Sequence, residues 1–328
     1  MADIKSTTIN GKIIGNLDEK ALELQVGVKK EKDGKQYTTD IIKGKLVVSG
    51  YEINVFAQSS FADKENKMFA GIKTIYDTYV DKIQAVKEGK EADTVEVAIK
   101  YECNDYAAPT AAPTEIKTGT RISFFKATRV PHDTPHKAEI DIDGAVIRSM
   151  APEIKDEEET GRLIVEVATF DYNSKLKPFK FIVENGTEED GTDTLVDDFE
   201  NTFEAGQTVR LYCELRKIQI GGETSKKKAA FGKKVDVNTG FTIIEAYIVG
   251  GEEPYEEEQA YDLAVVKEAM NQRKEELDAL LKKKQEEAKK PKTGGGASGL
   301  GGAGNKASKP KVGKGNPIEM DEPEDSPF

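Results

Sequence analysis

Alternation of apolar and polar residues is the dominant pattern along this chain, and a period of two predicts β-strands with one buried face. Segments with this pattern occur in two similar sets. Three matches follow one another in the same order: residues 8–14 with 141–147, 94–101 with 208–215, and 118–122 with 239–243. Such a duplication in a chain of 328 residues predicts that one fold is used twice.

A short amphipathic helix is predicted between the third and fourth strands of each half, because apolar residues there recur three and four apart. These residues are Ile72, Ile75, Tyr76, Tyr79, Ile83 and Val86 in the first half, and Leu195, Val196, Phe199 and Phe203 in the second. Three strands, a helix and two strands form the order of the OB-fold, a five-stranded Greek-key barrel. An immunoglobulin-like sandwich would use more strands and no such helix. The predicted fold class is therefore mainly β, with two tandem OB-fold barrels, one following helix and a disordered tail.

Changes in composition give the predicted domain boundaries. The segments are OB-fold domain 1 at 1–130, a proline-containing linker at 131–137, OB-fold domain 2 at 138–251, a helix at 252–290, a Gly/Lys-rich linker at 291–316 and an acidic tip at 317–328. The Gly/Lys-rich linker has nine glycines and no acidic residue, so it cannot bury enough apolar area to become ordered. It is predicted to be a flexible tether with a root-mean-square span of about 28 Å.

Charge is unevenly distributed, although the net charge of −12 argues against a phosphate-rich ligand for the chain as a whole. Residues 216–234 hold seven basic side chains and the single acidic residue Glu223. This segment joins the fourth and fifth predicted strands of the second barrel, and that loop frames the ligand face in OB-folds. Lysines also alternate with aromatic residues at 170–181. A basic groove with exposed aromatic rings is what sequence-tolerant binding of single strands requires.

The last twelve residues carry five acids, no base and a terminal Phe328 after Pro327. A free carboxylate on a terminal Phe can pair with a basic side chain while the ring fills an apolar pocket of a partner. The acids upstream would steer such an encounter. An acidic solubility tail would explain the carboxylates but not the terminal ring, so the tip is interpreted as a partner-binding segment.

A barrel followed by a glycine-rich tether and an acidic tip ending in Pro327-Phe328 resembles the bacterial and bacteriophage single-stranded DNA-binding (SSB) protein family. The resemblance covers the architecture of the whole chain, but only the Pro-Phe tip is similar residue by residue. Ser326 stands where the family commonly has Ile or Leu, and the chain lacks the Trp on which many members stack bases. The resemblance implies a non-enzymatic protein that coats single-stranded DNA in replication, recombination and repair. It also implies recruitment of partner proteins by the tip in a bacterial or phage-infected cytoplasm.

The candidate binding residues are basic or aromatic side chains near predicted turns and hairpins. In the first barrel they are Lys29, Lys30, Lys32, Lys35, Tyr37, Tyr51, Phe56, Phe61 and Lys67. In the second barrel they are Phe170, Tyr172, Lys175, Lys177, Lys180, Arg216, Lys217, Lys226, Lys227, Lys228, Phe231, Lys233 and Lys234. The candidate partner-binding residues of the tip are Asp321, Glu322, Glu324, Asp325, Pro327 and Phe328.

Other classes of function have less support from the residues. The chain has no Walker-type phosphate loop and no nucleophile with an evident base, so it is predicted not to be an enzyme and to need no cofactor. His132 and His136 lie among prolines, where no helix would align both rings on a metal. Cys103 and Cys213 each lie in a β-like alternation, which favours buried reduced thiols. A protein-binding adaptor or virion component built on OB-like barrels is the alternative function, and RNA as the ligand stays open.

Overall fold

The computed structural model describes residues 6–32, 34–61, 64–107, 113–187, 189, 191–221, 224–227, 235–238 and 240–289. The strands in these ranges are β1 Thr8–Lys32, β2 Lys35–Val48, β3 Tyr51–Gln58, β4 Ser60–Phe61, β5 Lys64–Glu65, β6 Thr94–Ala107, β7 Ile116–Arg129, β8 Lys137–Lys155, β9 Glu158–Phe170, β10 Leu176–Glu184, β11 Thr208–Ile220, β12 Thr224–Lys227, β13 Val235–Asn238 and β14 Phe241–Gly251. The helices are α1 Lys67–Thr78, α2 Lys82–Glu88, α3 Leu195–Thr202 and α4 Leu263–Lys289.

The ten long strands close into two barrels with the same connectivity. Strand order is β1-β2-β3-β7-β6 in the first barrel, closed by pairing of β6 with β1. The second barrel has the order β8-β9-β10-β14-β11 and is closed by pairing of β11 with β8. In each barrel the third and fifth strands run parallel, and all other neighbours are antiparallel. This is the Greek-key order of the OB-fold, so the predicted tandem barrels are confirmed.

The two barrels share one continuous sheet and one core. β1 of the first barrel pairs antiparallel with β8 of the second, from Thr8 opposite Asp143 to Ile14 opposite Lys137. Tyr101 of the first barrel stacks on Phe179 of the second, with ring centroids 5.4 Å apart. Phe179 and Phe181 share one face of β10 and are both buried, so they are core residues. The barrels therefore meet as one packed unit.

Helices lie between the third and fourth strands of each barrel, as predicted, but the first is divided. Asp81 accepts a hydrogen bond from the Gln84 amide and begins α2, so α1 ends before it. Ile83 and Val86 of α2 are 52% and 84% exposed, so the predicted apolar stripe is buried only as far as Tyr79. The ammonium of Lys20 donates to the carbonyl of Tyr79 at 2.7 Å and so satisfies the end of α1. Burial lowers the pKa of Lys20.

Of the three pairs of similar segments in the sequence, one pair occupies equivalent positions in the two barrels, and the other two pairs are shifted along their strands. Thr94 and Thr208 each begin the fourth strand of their barrel, and they pair with Asn16 and Val146 at equivalent positions of the first strand. Ile99 of β6 and Cys213 of β11 are equivalent, since they follow Thr94 and Thr208 at the same spacing. Ile99 pairs with Gly11 and Cys213 pairs with Ile140, so Gly11 aligns with Ile140 and not with Gly144. On their other side, Ile99 pairs with Phe124 and Cys213 pairs with Ile248, so Phe124 aligns with Ile248. Similar alternating strands allow such slips, since many registers preserve the same pattern.

Helix α4 packs on the second barrel and also reaches the first. Val266 and Ala269 are buried against Phe170 and Leu176 of the second barrel. Arg273, which interrupts the apolar repeat of this helix, pairs with Asp105 of the first barrel at 2.6 Å, and the two side chains are only 10% and 18% exposed. The same guanidinium donates to the carbonyl of Leu176 at 3.4 Å. Arg273 therefore connects both barrels through the helix.

Replacing Arg273 with Met is expected to lower the free energy of unfolding by about 3 kcal/mol, because Asp105 would stay largely buried without its cation. Adding Asp105→Asn should restore most of this loss. Urea denaturation of the full chain would measure both effects. The matched control is Lys45→Met, which breaks the exposed pair with Glu52 and should cost at most about 1 kcal/mol. Equal losses for Arg273→Met and the control would contradict a bridging role.

Candidate nucleic-acid interface

Strands 2 and 3 of an OB barrel and the loops beside them form the usual ligand face. In the first barrel these strands are β2 and β3, and β7 and β6 continue the same surface. Ile53 and Val55 of β3 are buried in the barrel, so the alternate residues Asn54 and Phe56 lie on its outer side.

Strand register places basic and aromatic side chains in two neighbouring rows on this outer side. One row runs across four strands as Lys45, Asn54, Ser123 and Lys100. The next row begins with Lys43 opposite Phe56. Phe56 and Phe125 each lie two residues beyond the paired residues Asn54 and Ser123 on parallel neighbouring strands. Lys126 follows Phe125 and pairs with Ala98. These residues form the first-barrel face: Lys43, Lys45, Asn54, Phe56, Lys100, Ser123, Phe125 and Lys126.

The first-barrel face has two aromatic rings between cations. Phe125 is 54% exposed, so its ring is open to solvent. The Lys100 ammonium lies 5.8 Å from the centre of its ring. Among the described residues, no carboxylate oxygen lies within 4 Å of the ammonium groups of Lys43, Lys100 or Lys126. These cations are therefore available to neutralise phosphates.

Two acidic side chains near the face are in ion pairs. Lys45 bonds to Glu52 at 2.6 Å, and Arg121 pairs with Glu102 at 3.2 Å. Glu102 also accepts a hydrogen bond from the Ser123 hydroxyl at 2.6 Å. The exposed Glu23 lies opposite Lys43 on β1, so the cations of the face that lie near Phe125 are Lys100 and Lys126.

The predicted basic cluster of the first barrel lies on an arm that continues from this face. Residues before Ile41 in β2 pair with β1 alone, because pairing with β3 begins at Ile41. The arm carries the predicted residues Lys29, Lys30, Lys32, Lys35 and Tyr37. Lys29, Lys32 and Lys35 are exposed, whereas Lys30 and Tyr37 are half-buried. The first turn of α1 begins with Lys67, which is exposed.

Several predicted residues of the second barrel are engaged in ion pairs. Their partners are Glu276 for Lys175 at 3.1 Å, Asp171 for Lys177 at 4.0 Å, Glu166 for Lys180 at 2.9 Å, and Glu184 for Arg216 at 3.5 Å. Tyr172 is 56% exposed in the turn between β9 and β10. The structure does not gather these side chains with those of the first-barrel face into one cluster.

Phe170 is placed differently from the prediction. It is 1% exposed, and its ring packs on Tyr261 with centroids 4.8 Å apart, so it is a core residue and cannot stack on a base. Tyr51 lies at the joint between the barrels, where its hydroxyl donates to the carbonyl of Leu215 at 2.6 Å. Lys217 covers the Tyr51 ring at 4.9 Å and donates to the carbonyl of Ser49. These two predicted residues connect the barrels.

Other predicted residues fall on parts of the chain that the structure does not describe. Only the backbone is described for Phe61, Lys226 and Lys227. The remaining ones lie outside the described residues: Lys228, Phe231, Lys233 and Lys234 in the second barrel, and Asp321, Glu322, Glu324, Asp325, Pro327 and Phe328 in the tip. Their roles stay predictions.

Sequence reasoning missed Lys43, Lys45, Lys100, Phe125 and Lys126, although it found Phe56. The available signal was the alternation itself, since Lys100 lies between the buried Ile99 and Tyr101, and Lys43 and Lys45 each follow or precede one buried residue, Ile42 or Leu46. The bulge between Ala98 and Ile99 concealed Phe125, because it places two consecutive residues of β7, Phe125 and Lys126, on the exposed side.

The histidines and cysteines form no evident chemical centre. His132 lies 3.1 Å from the Thr94 hydroxyl, and His136 lies 3.3 Å from the Ser49 hydroxyl, so each ring bonds to the first barrel separately. In the described part of the chain, no group of three or more metal-ligating side chains occurs. Cys103 is half-buried and Cys213 is buried, both as free thiols, and burial raises the pKa of each. No helix within the described ranges is both long and apolar enough to cross a membrane.

Solved structures with some similarity include two forms of one protein. The wild-type single-stranded DNA binding protein from Thermus aquaticus has 8% identity and a TM-score of 0.34, covering 77% of this chain and 95% of that chain. A deletion mutant of the same protein has 8% identity and a TM-score of 0.36, covering 77% and 97%. At this level of agreement, the fold assignment rests on the strand order of the chain itself.

Comparison with families gives a more direct result. No curated protein matches the chain. Residues 4–285 match the model of a family described as YorF, which spans both barrels and nearly all of α4. The match covers well over half of the sequence, and the chain is therefore a member of the YorF family.

Proposed function

We propose that this protein binds single-stranded DNA without strong sequence preference, and that it coats and protects the strand during replication, recombination and repair. The observation that carries the proposal is the first-barrel face, where Phe56 and the exposed Phe125 lie on neighbouring strands together with Lys43, Lys100 and Lys126, which have no carboxylate partner among the described residues. Every base has a π-face, so stacking on such rings tolerates any sequence. The lysines beside the rings would follow the phosphates.

The basic arm of the first barrel would extend this contact. Lys29, Lys32 and Lys35 are exposed on the arm between the first two strands, and in OB-folds this loop borders the ligand face. The lysines of residues 226–234 belong to the other bordering loop, in the second barrel. Lys217, near the start of that loop, reaches Ser49 of the first barrel at 2.5 Å.

The tail would act separately from the barrels. Its five acids and the ring of Phe328 are suited to a basic pocket with an apolar floor on another replication or recombination protein. We propose that the tip recruits such partners while the barrels hold the strand, in the cytoplasm of a bacterium or of a phage-infected cell. The protein would act without a cofactor and without catalysis.

Binding of a labelled 30-nucleotide dT strand tests the proposed function. The full chain should bind this strand much more tightly than the matching duplex, because only unpaired bases expose their faces for stacking. Affinity should fall steeply as salt rises, since phosphate neutralisation releases counterions. Fluorescence anisotropy across a salt series would measure both, with an RNA strand to decide between the nucleic acids and a chain ending at Lys290 to test the tail.

Absence of binding at low salt, in both the full and the shortened chain, would disprove the proposal. The alternative would then be a protein-binding adaptor or virion component that uses its barrels as a scaffold. Truncation should leave binding unchanged or strengthen it, because the acidic tip can compete with DNA for the basic face.

A further inference from the structure

The two barrels have the same strand order, so their faces can be compared position by position. Asn54 pairs with Ser123 between the parallel strands of the first barrel, and Ile182 pairs with Tyr247 between those of the second. These pairs fix the register between the two faces. The equivalent surface, the second-barrel face, is formed by Arg162, Ile164, Ile182, Glu184, Glu214, Tyr247 and Val249.

The two faces differ at positions where the first barrel has an aromatic ring or a cation. Phe56 corresponds to Glu184, because each follows the reference pair by two residues on the third strand. Lys100, the partner of Ser123, corresponds to Glu214, the partner of Tyr247. A ring and a cation of the first barrel are thus replaced by two carboxylates.

The residues aligned with Lys45 and Phe125 are aliphatic. By the same register, Lys45 corresponds to Ile164, and Phe125 corresponds to Val249. Only Lys43 keeps a cation, since its equivalent is Arg162. The second-barrel face therefore lacks both stacking rings at these positions.

The cations that remain on the second-barrel face are held by carboxylates. Arg162 pairs with Glu245 at 2.7 Å and with Glu153 at 3.1 Å, and its side chain is only 20% exposed. Burial, together with a hydrogen bond to Glu245, raises the pKa of Tyr247 to about 12. The guanidinium of Arg216 lies 4.3 Å from the centre of the Tyr247 ring and so occupies the side where a base could stack.

A pocket of about 300 Å³ opens beside these residues, and Glu184, Glu214 and Arg216 are among its lining residues. Two carboxylates against one guanidinium leave this surface with a negative balance, which repels a phosphate chain. The corresponding positions of the first barrel are Phe56, Lys100 and Glu102, which together carry no net charge, so the second barrel is the more negative of the two at this location.

The loops between the first and second strands differ in the same direction. Residues 29–35 carry four lysines and two acids, a net charge of +2. Residues 153–159, at the corresponding hairpin of the second barrel, carry five acids and one lysine, a net charge of −4. A strand lying across the second barrel would thus meet an acidic hairpin where the first barrel offers a basic one.

We infer that the first-barrel face alone grips single-stranded DNA, and that the second-barrel face is closed to it. This inference rests on the proposed function, and it concerns the sheet faces, not the lysines of residues 226–234. The duplicated barrel would serve as a rigid support, fixed through the β1–β8 pairing and α4. The strand length occluded per chain would correspond to about one OB-fold, within roughly 4 to 16 nucleotides.

Two double variants with equal change of net charge test the inference. Lys43→Gln with Lys100→Gln removes two cations of the first-barrel face, and Lys180→Gln with Arg216→Gln removes two cations beside the second-barrel face. Both pairs lower the net charge by two, so long-range steering changes equally. The first pair should weaken dT binding about 10-fold and reduce the salt slope by about 1.4, which is two contacts at 0.7 each. The second pair should change the affinity less than twofold.

Lysine acylation of the unaltered protein gives a readout that does not depend on folding of a variant. Excess dT should protect Lys43 and Lys100 and leave Lys180 reactive. A loss of fivefold or more from the second pair, protection of Lys180, or unchanged affinity after loss of Lys43 and Lys100 would overturn the inference. If the unaltered protein fails to bind any strand, the proposed function itself fails, so the two failures are distinguishable.

Discussion

Replacing Phe181 with Ala should lower the free energy of unfolding by about 4 kcal/mol. Phe181 is completely buried, and its ring lies 6.1 Å from Phe179 and 6.4 Å from Tyr101 of the other barrel. Removing it leaves a cavity that the two closed barrels cannot easily collapse. Because the core is shared, we expect both barrels to lose stability together.

Hydrogen exchange with mass spectrometry would measure the stability of each barrel of the Phe181→Ala variant separately. Amides of β3 in the first barrel and of β14 in the second should lose protection in parallel in the Phe181→Ala variant. The matched control is Phe125→Ala, the same chemical change at a side chain that is 54% exposed, which should cost less than about 1 kcal/mol. Loss of protection in β14 with full protection in β3 would contradict the shared core.

The fold could be predicted from the sequence because its signal is local and repeated. Alternation between 94 and 101 and again between 208 and 215 identified the same strand of both barrels in the correct register. Helical periodicity placed a helix after the third strand of each barrel. These patterns reflect burial of one face of each element, which a single sequence records directly.

The joint between the barrels could not be predicted in this way. Tyr51, Phe179 and Phe181 read equally well as core or as binding residues, because alternation does not say what covers an apolar face. Arg273 appeared to interrupt the repeat of α4, but it pairs with Asp105, a residue 168 positions earlier in the chain. Contacts between elements distant in sequence decide such cases, and no local pattern contains them.

The candidate face was predicted only in part for a related reason. Lysines in clusters, such as residues 29–35, are conspicuous in a sequence, whereas Lys43, Lys100 and Phe125 are isolated in it. They become neighbours only when β2, β3, β7 and β6 lie side by side. The same pairing shows that Lys180 and Arg216 lie next to carboxylates, so their number in the sequence overstates the available positive charge.

Replacing both Phe56 and Phe125 with Ala should weaken binding of dT about 100-fold, since each base stack is worth about 1 to 3 kcal/mol. The salt dependence of the remaining binding should stay the same, because no charge is removed. This combination differs from that expected for Lys43→Gln with Lys100→Gln, where affinity and salt slope fall together. Anisotropy titrations with dT across a salt series would measure both quantities for the two variants.

The double change to Tyr is the matched control, because Tyr keeps the ring on which a base can stack. Phe56→Tyr with Phe125→Tyr should retain affinity within about threefold, and thermal unfolding should show that all variants remain folded. Affinity retained within threefold in the Ala variant would place the strand elsewhere on the protein. Equal losses for Tyr and Ala would mean that tight packing at this surface, and not stacking on its rings, determines binding. A loss confined to Ala with an unchanged salt slope requires contact between the bases and these two rings, because only stacking combines those results.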